Sequence, residues 1–165
     1  MSADAVTEDQ QTATLLESYT EMHEILMPNH TNNLGRALGG VVLHWMDICA
    51  AIAARRFARA QVVTASMDHV DFLGAIDVGD VVNVEAFVFE TGQTSMDLKV
   101  NVYAERPSEG ERRRTASSYF TFVAIGGDQE PTSVPDVVCP TEHQEEMRER
   151  ALRRRRERRE QLAAE

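Results

Sequence analysis

Hydrophobic and polar residues change rhythm several times along this chain. From Gly39 to Ala54 the pattern is apolar almost without relief: Gly-Gly-Val-Val-Leu-His-Trp-Met-Asp-Ile-Cys-Ala-Ala-Ile-Ala-Ala. At helical spacing Val41, Trp45, Ile48 and Ile52 leave no polar side, which predicts a core helix buried all round. Its roughly sixteen residues fall short of the ~18 or more that a membrane span requires. Arg55 and Arg56 close it with the charge that suits a helix C-terminus.

Elsewhere the period is two. Met96, Leu98, Val100, Val102 and Ala104 alternate with Asp97, Lys99, Asn101, Tyr103 and Glu105, the mark of a strand with one wet face. Strand character also marks residues 19–26, 62–72, 81–89 and 115–125, separated by turn residues at 74–80, 91–93 and 107–110. These turns are short enough for antiparallel neighbours. The expected class is α+β: an antiparallel sheet of about five or six strands wrapped around one long central helix. Such a sheet leaves its edge and part of the helix uncovered, and dimerisation is the expected remedy. Along the chain this predicts a disordered N-terminus at 1–14, one domain at 15–128, a linker at 129–141 and a charged C-terminal helix at 142–165.

That last segment mixes Glu and Arg, with favourable i,i+4 pairs at Glu146–Arg150 and Glu149–Arg153. Its few apolar residues make no continuous stripe. The run Arg153 to Arg156, with Arg158 and Arg159, offers cations for an anion or nucleic acid. Interleaved glutamates and the lack of a stacking aromatic favour a solvated or subunit-bridging helix.

Charge narrows the function. There are 27 acidic residues against 17 basic, a net charge of -10, and Lys99 is the only lysine. An acidic, lysine-poor surface suits a salt-rich, halophilic cytoplasm, where screening removes the self-repulsion. It argues against general nucleic-acid affinity, which needs a basic footprint. The polar, acidic start MSADAVTEDQQTAT lacks a secretory signal and no later segment predicts a membrane span, so a soluble cytoplasmic protein is expected. Cys49 and Cys139 show neither metal-ligand spacing nor a disulfide framework and read as reduced thiols.

Within the apolar run Asp47 is the only acid. Burial disfavours an ionised carboxylate unless a donor or cation compensates, and carboxylates in such places cluster at functional sites, although a purely structural acid is the competing reading. His44, one turn earlier, is a possible partner. Ahead of the helix runs a polar loop, Asn29-His-Thr-Asn-Asn33, that delivers the chain to Gly35. The Gly39-Gly40 start offers unpaired backbone N–H groups for a carbonyl or oxyanion, and two glycines permit close approach. A nearby carboxylate can then act as nucleophile or as general base for water, and an amide such as Asn32 can orient the water or the carbonyl. Asp68, His69 and Asp71 are close in sequence, but alternation along a strand points Asp68 away from the other two and leaves too few ligands for a metal.

Taken together, Asn32-Asn-Leu-Gly35-Arg-Ala-Leu-Gly39-Gly40, Trp45-Met-Asp47, Val62-Val-Thr-Ala-Ser66, Asp71-Phe72, Val78-Gly-Asp80 and Thr91-Gly-Gln-Thr-Ser95-Met96 closely resemble the acyl-CoA hydrolase branch of the hotdog-fold thioesterases. Val134-Pro135, Pro140-Thr141 and the Arg-rich end are similar to that family's ending. The resemblance implies a hotdog domain paired as a homodimer and assembled further into tetramers or hexamers. It implies hydrolysis of acyl-CoA to a free fatty acid and coenzyme A, with no metal or organic cofactor. The catalytic pair carries over to Asn32 and Asp47, contributed by different subunits. Thr94 and Ser95 match a strand start near the thioester, and Leu38 stands at a position that varies within the family and offers no catalytic group. For the phosphates of coenzyme A the candidate cations are Arg55, Arg56, Arg59, Arg106 and Arg112 to Arg114. Two other readings stay open: a non-catalytic acyl-CoA-binding regulator whose tail touches DNA or a partner, and a dehydratase using His44 with Asp47 or His69 with Asp71.

Overall fold

The computed structural model describes residues 11–165. In chain order it contains β1 (Thr12–Thr14), α1 (Leu15–Ser18), β2 (Thr20–Ile25), a 3-10 turn at Pro28–His30, α2 (Gly39–Ala58), β3 (Gln61–Met67), β4 (Asp71–Phe72), β5 (Val81–Thr91), β6 (Ser95–Glu105), β7 (Arg112–Ile125), β8 (Asp136–Val138) and α3 (Glu142–Ala163). The main sheet runs β2-β5-β6-β7-β3, with β4 also on β7, and every pairing in it is antiparallel. This is a hotdog-type α+β domain, its sheet curled on one long helix.

α2 is four residues longer than the apolar run, because Phe57 still reaches the core and the helix ends only where Arg59 turns left-handed at φ 51°. Its inner face sets Val42, Met46, Cys49, Ala50, Ala53 and Phe57 against the apolar side of the sheet, where Val84, Leu98, Val100 and Phe120 are fully buried. The expectation of a helix buried all round is corrected. The sheet wraps one side only, so His44, Ile48 and Arg55 are exposed and Asp47 is half-buried.

The strand expected at 62–72 is two strands. Residues 68–70 break the ladder, where the Asp68 N–H donates to the Tyr119 carbonyl and the Ser118 hydroxyl to the Asp68 carbonyl. β3 lies at the sheet edge, and Val63 and Met67 are 50% and 46% exposed.

Two further expectations are corrected on the outer face. α3 is not a solvated tail but lies across the sheet, with Met147, Ala151 and Leu152 against Phe87, Phe89 and Tyr119. Arg155, only 7% exposed, reaches Asp97 at 2.8 Å and Asp68 at 3.3 Å, while Arg158 holds Asp71 at 2.6 Å. Long arginine stems here do the covering that an apolar stripe does elsewhere. The outer face of β6 is consequently dry in its middle, and Lys99 and Asn101 are buried.

The ends of the domain are tied together. Residues 1–10 of the segment expected to be disordered lie outside the described residues, but Thr12–Thr14 form β1 and pair in parallel with β8 at Asp136–Val138, inside the stretch expected as a linker. Among the described residues no helix is long and apolar enough to cross a membrane.

Candidate active site

The loop before α2 is built around Asn32. Its Oδ1 accepts from the N–H groups of Leu34 at 2.9 Å and Arg36 at 3.2 Å, while Gly35 takes the left-handed φ of 71° that the turn needs. Because the amide oxygen is committed to the loop, the group Asn32 presents outward is its NH₂, a donor. His30 anchors the loop from the other side. Its ring meets Trp45 of α2 edge-on at 5.1 Å, and its carbonyl accepts from the Leu38 N–H.

Asn32 and Gly39 line one cavity of about 260 Å³, together with Phe72, Ile76, Thr115 and Ala116. Leu38 caps α2 without a side-chain hydrogen bond, its carbonyl accepting from the Val41 and Val42 N–H groups, so no capping side chain covers the N–H groups of Gly39 and Gly40. A Cβ on Gly39 would stand 3.5 Å from the Phe72 ring, whereas at Gly40 it would meet nothing within 4 Å. The start of α2 is therefore unobstructed at Gly40, and a helix N-terminus carries the partial positive charge that favours a developing oxyanion.

Asp47 sits on the uncovered side of α2, about 12 Å further along the axis at 1.5 Å per residue. It does not line the Asn32 cavity. Its Oδ1 accepts from the Thr64 hydroxyl of β3 at 2.8 Å, which makes Thr64 the group that orients the carboxylate. His44 is exposed, and Asp47's hydrogen bond goes to Thr64 in its place. Thr64 had only a weak signal in the sequence, a hydroxyl inside Val62-Val-Thr-Ala-Ser66.

The remaining predicted positions scatter. Thr94 and Ser95 form the β5–β6 turn, where the Gly92 N–H donates to the Ser95 carbonyl at 2.9 Å. Ser95 pairs with Val123, and alternation with buried Met96 sends its side chain to the outer face, away from Asp47. Arg55 and Arg59 lie at the opposite end of α2, roughly 24 Å or more from Gly39 along the axis. Arg55 donates to Gln61 Oε1 at 3.4 Å, and Arg59 borders a separate cavity of about 500 Å³ beside Arg56. Arg106, Arg112 and Arg113 are engaged internally, with Asp77 at 2.6 Å, Glu85 at 3.7 Å and Asp80 at 3.1 Å. Of the arginines proposed for phosphate, Arg114 alone lines an outer-face cavity.

Other chemistry is disfavoured by local contacts. Burial pushes the Cys49 thiol up to about 12, so it is no thiolate nucleophile. Asp68 and Asp71 are occupied by Arg155 and Arg158, which answers both the metal and the His69–Asp71 acid–base readings with arginine clamps; His69 stays 3.8 Å from Asp71.

A curled sheet on a single helix, with a glycine-opened N-terminus, an amide donor in the preceding loop and a hydroxyl-held carboxylate two turns on, defines a hotdog thioester-hydrolase type of domain. The model of the thioesterase superfamily matches residues 34–111. An acyl-CoA thioester hydrolase of Bacillus subtilis (strain 168) is 40% identical over 133 residues, covering 81% of this chain and 77% of its own. The crystal structure of an apo hexameric acyl-CoA thioesterase superposes with a TM-score of 0.82 at 37% identity, covering 94% of this chain and 99% of that one. The acyl-CoA hydrolase of Staphylococcus aureus, solved with butyryl coenzyme A, coenzyme A and coenzyme A disulfide, gives a TM-score of 0.80 at 32% identity over 93% of this chain and 95% of its own. This chain belongs to the acyl-CoA hydrolase branch of the thioesterase superfamily. Further structures of the S. aureus enzyme carry single alanine replacements of an Asn, an Asp and a Thr, spaced along its chain as Asn32, Asp47 and Thr64 are spaced here.

Proposed function

We propose that this protein hydrolyses the thioester of acyl-CoA, with Asp47 as the carboxylate that drives the reaction and Asn32 of a partner subunit completing the site. The observation that carries this reading is the Thr64-held Asp47 on the uncovered face of a helix whose glycine-opened end borders the Asn32 cavity. The carbonyl oxygen is taken to rest against the α2 N-terminus and the Asn32 NH₂, both donors, which stabilise the oxyanion as it forms. Asp47 either removes a proton from water that attacks the carbonyl carbon, or attacks it directly. In both routes the C–S bond breaks, the thiolate of coenzyme A leaves and takes up a proton, and one water is consumed.

Two features support a shared site. Asp47 lies about 12 Å along α2 from the Gly39 end that borders the Asn32 cavity and does not line it, and a cavity of about 260 Å³ is smaller than the ~300–1,000 Å³ of complete ligand pockets. The exposed β3 edge and the uncovered face of α2 are the surfaces a partner would cover, with the hexamer of the relative above as the model for higher assembly.

The test is thiol release from a panel of acyl-CoA substrates. Asp47→Ala and Asn32→Ala should each lower kcat on the order of 10²–10³-fold, and Thr64→Val should lower it less, since it loosens the carboxylate without removing it. Wild-type turnover by Asp47→Ala would sink the mechanism. Acid-quenched single turnovers separate the two routes, because only direct attack leaves an acyl adduct on Asp47.

A further inference from the structure

The cleft between α3 and the outer face of the sheet holds two adjoining cavities of about 210 and 160 Å³. Lys99, Arg114 and Arg154 line both. Among the described residues the lysines and arginines in ion pairs are Arg106, Arg112, Arg113, Arg155, Arg158 and Arg159, so these three cations face the cavities unpaired. In a protein of net charge -10, three cations gathered in one cleft with no ion pair of their own repel one another.

Lys99 is 6% exposed, with its Nζ donating to Ser117 Oγ at 2.5 Å and lying 4.1 Å from the centre of the Tyr119 ring. Burial, then Arg114 and Arg154, push its ammonium down to about 7. Two donors of the larger cavity are also left over. Tyr119 Oη and Arg158 Nε are buried and have no hydrogen-bond partner among the described residues. Buried donors are ordinarily satisfied, and a convergent set of cations and unspent donors is the equipment of an anion receptor. The acids around it are engaged elsewhere or point to solvent: Asp71 is taken by Arg158, Glu85 beside the smaller cavity accepts from Tyr19, Asn101 and Tyr103 and pairs with Arg112 at 3.7 Å, and Glu157 is exposed on α3.

We propose that this cleft binds a phosphate anion of about pyrophosphate size, gripped by Lys99, Arg114 and Arg154 and met by the Tyr119 hydroxyl. The ligand class is a diphosphate. It comes either from coenzyme A itself, whose diphosphate would then run over the outer face of β7, or from a free diphosphate unconnected with the substrate. Only the first source rests on the thioesterase reading.

The probe is inorganic pyrophosphate, titrated calorimetrically into the full chain at fixed moderate ionic strength. Saturable binding is expected, weakened at least ten-fold in the Arg114→Gln/Arg154→Gln double variant and not in Arg153→Gln, an exposed charge on the same helix. Both arginines of the double variant are exposed, so circular dichroism should show an unchanged fold. No saturable binding, or equal weakening by Arg153→Gln, overturns the site. If coenzyme A supplies the diphosphate, coenzyme A displaces pyrophosphate and the double variant raises KM for acyl-CoA by a similar factor. If a free diphosphate is the ligand, KM holds and displacement fails. A chain that binds pyrophosphate but releases no thiol would overturn the proposed hydrolysis and leave this site standing.

Discussion

Asp47 and Lys99 are two charged side chains whose surroundings differ from what the hydrophobic pattern suggests, in opposite directions: Asp47, set in an apolar run, is half-buried, and Lys99, set at a polar position, is buried. Asp47 was legible because a lone acid in an apolar run stands out. Its partner was not, since a threonine hydroxyl on a strand 17 residues away leaves no periodic mark, and the i,i+3 spacing to His44 conveys nearness without orientation. Lys99 looked like the wet position of an alternating strand. Buried instead, its ammonium is held at about 7, below the usual lysine range. The folded state therefore binds fewer protons than the unfolded one between about pH 7 and the ordinary lysine range, so stability rises with pH there, by at most about 1.4 kcal/mol per pH unit for one proton. Above about pH 9 the raised Cys49 thiol acts in the opposite direction. Urea midpoints from pH 7 to 9 should climb in the wild type and flatten in Lys99→Met; an identical slope in the variant would contradict the assignment.

Among the elements, the long helix followed from its apolar run, β6 from its alternation, and the strands at β2, β5 and β7 from strand-forming residues between turns, with boundaries off by a few residues. α3 did not. A helix that covers the sheet with arginine stems and pairs their heads beneath itself has the composition of a solvated one, and only the positions of Asp68, Asp71 and Asp97 on other elements reveal the difference. This clamp makes Arg155 a stability residue. Arg155→Ala should cost about 2–3 kcal/mol in urea unfolding, below the ~3–5 kcal/mol for breaking a fully buried pair, because Asp68 and Asp97 keep some contact with water. Arg156→Ala, exposed one residue on, should stay within about 0.5 kcal/mol of wild type.

For the whole molecule, the fold was legible and the proposed division of its site was not, because neither period nor composition shows which surfaces a second chain would meet. The resemblance supplied that expectation, and the absence of Asp47 from the lining of the Asn32 cavity supports it. Mixing inactive Asn32→Ala and Asp47→Ala chains tests it directly. In a shared site each mixed dimer regains one intact pair, so an equimolar mixture after subunit exchange should recover about one quarter of wild-type activity; a mixture as inactive as its parents would place both groups in one chain. The strand that brings Thr64 to Asp47 is also the sheet's exposed edge. In the proposed dimer, the contact that joins two molecules and the contact that aims the carboxylate share a wall. Dilution would then act as inactivation, and any drift in β3 would be felt at once as a loss of company and a loss of catalyst.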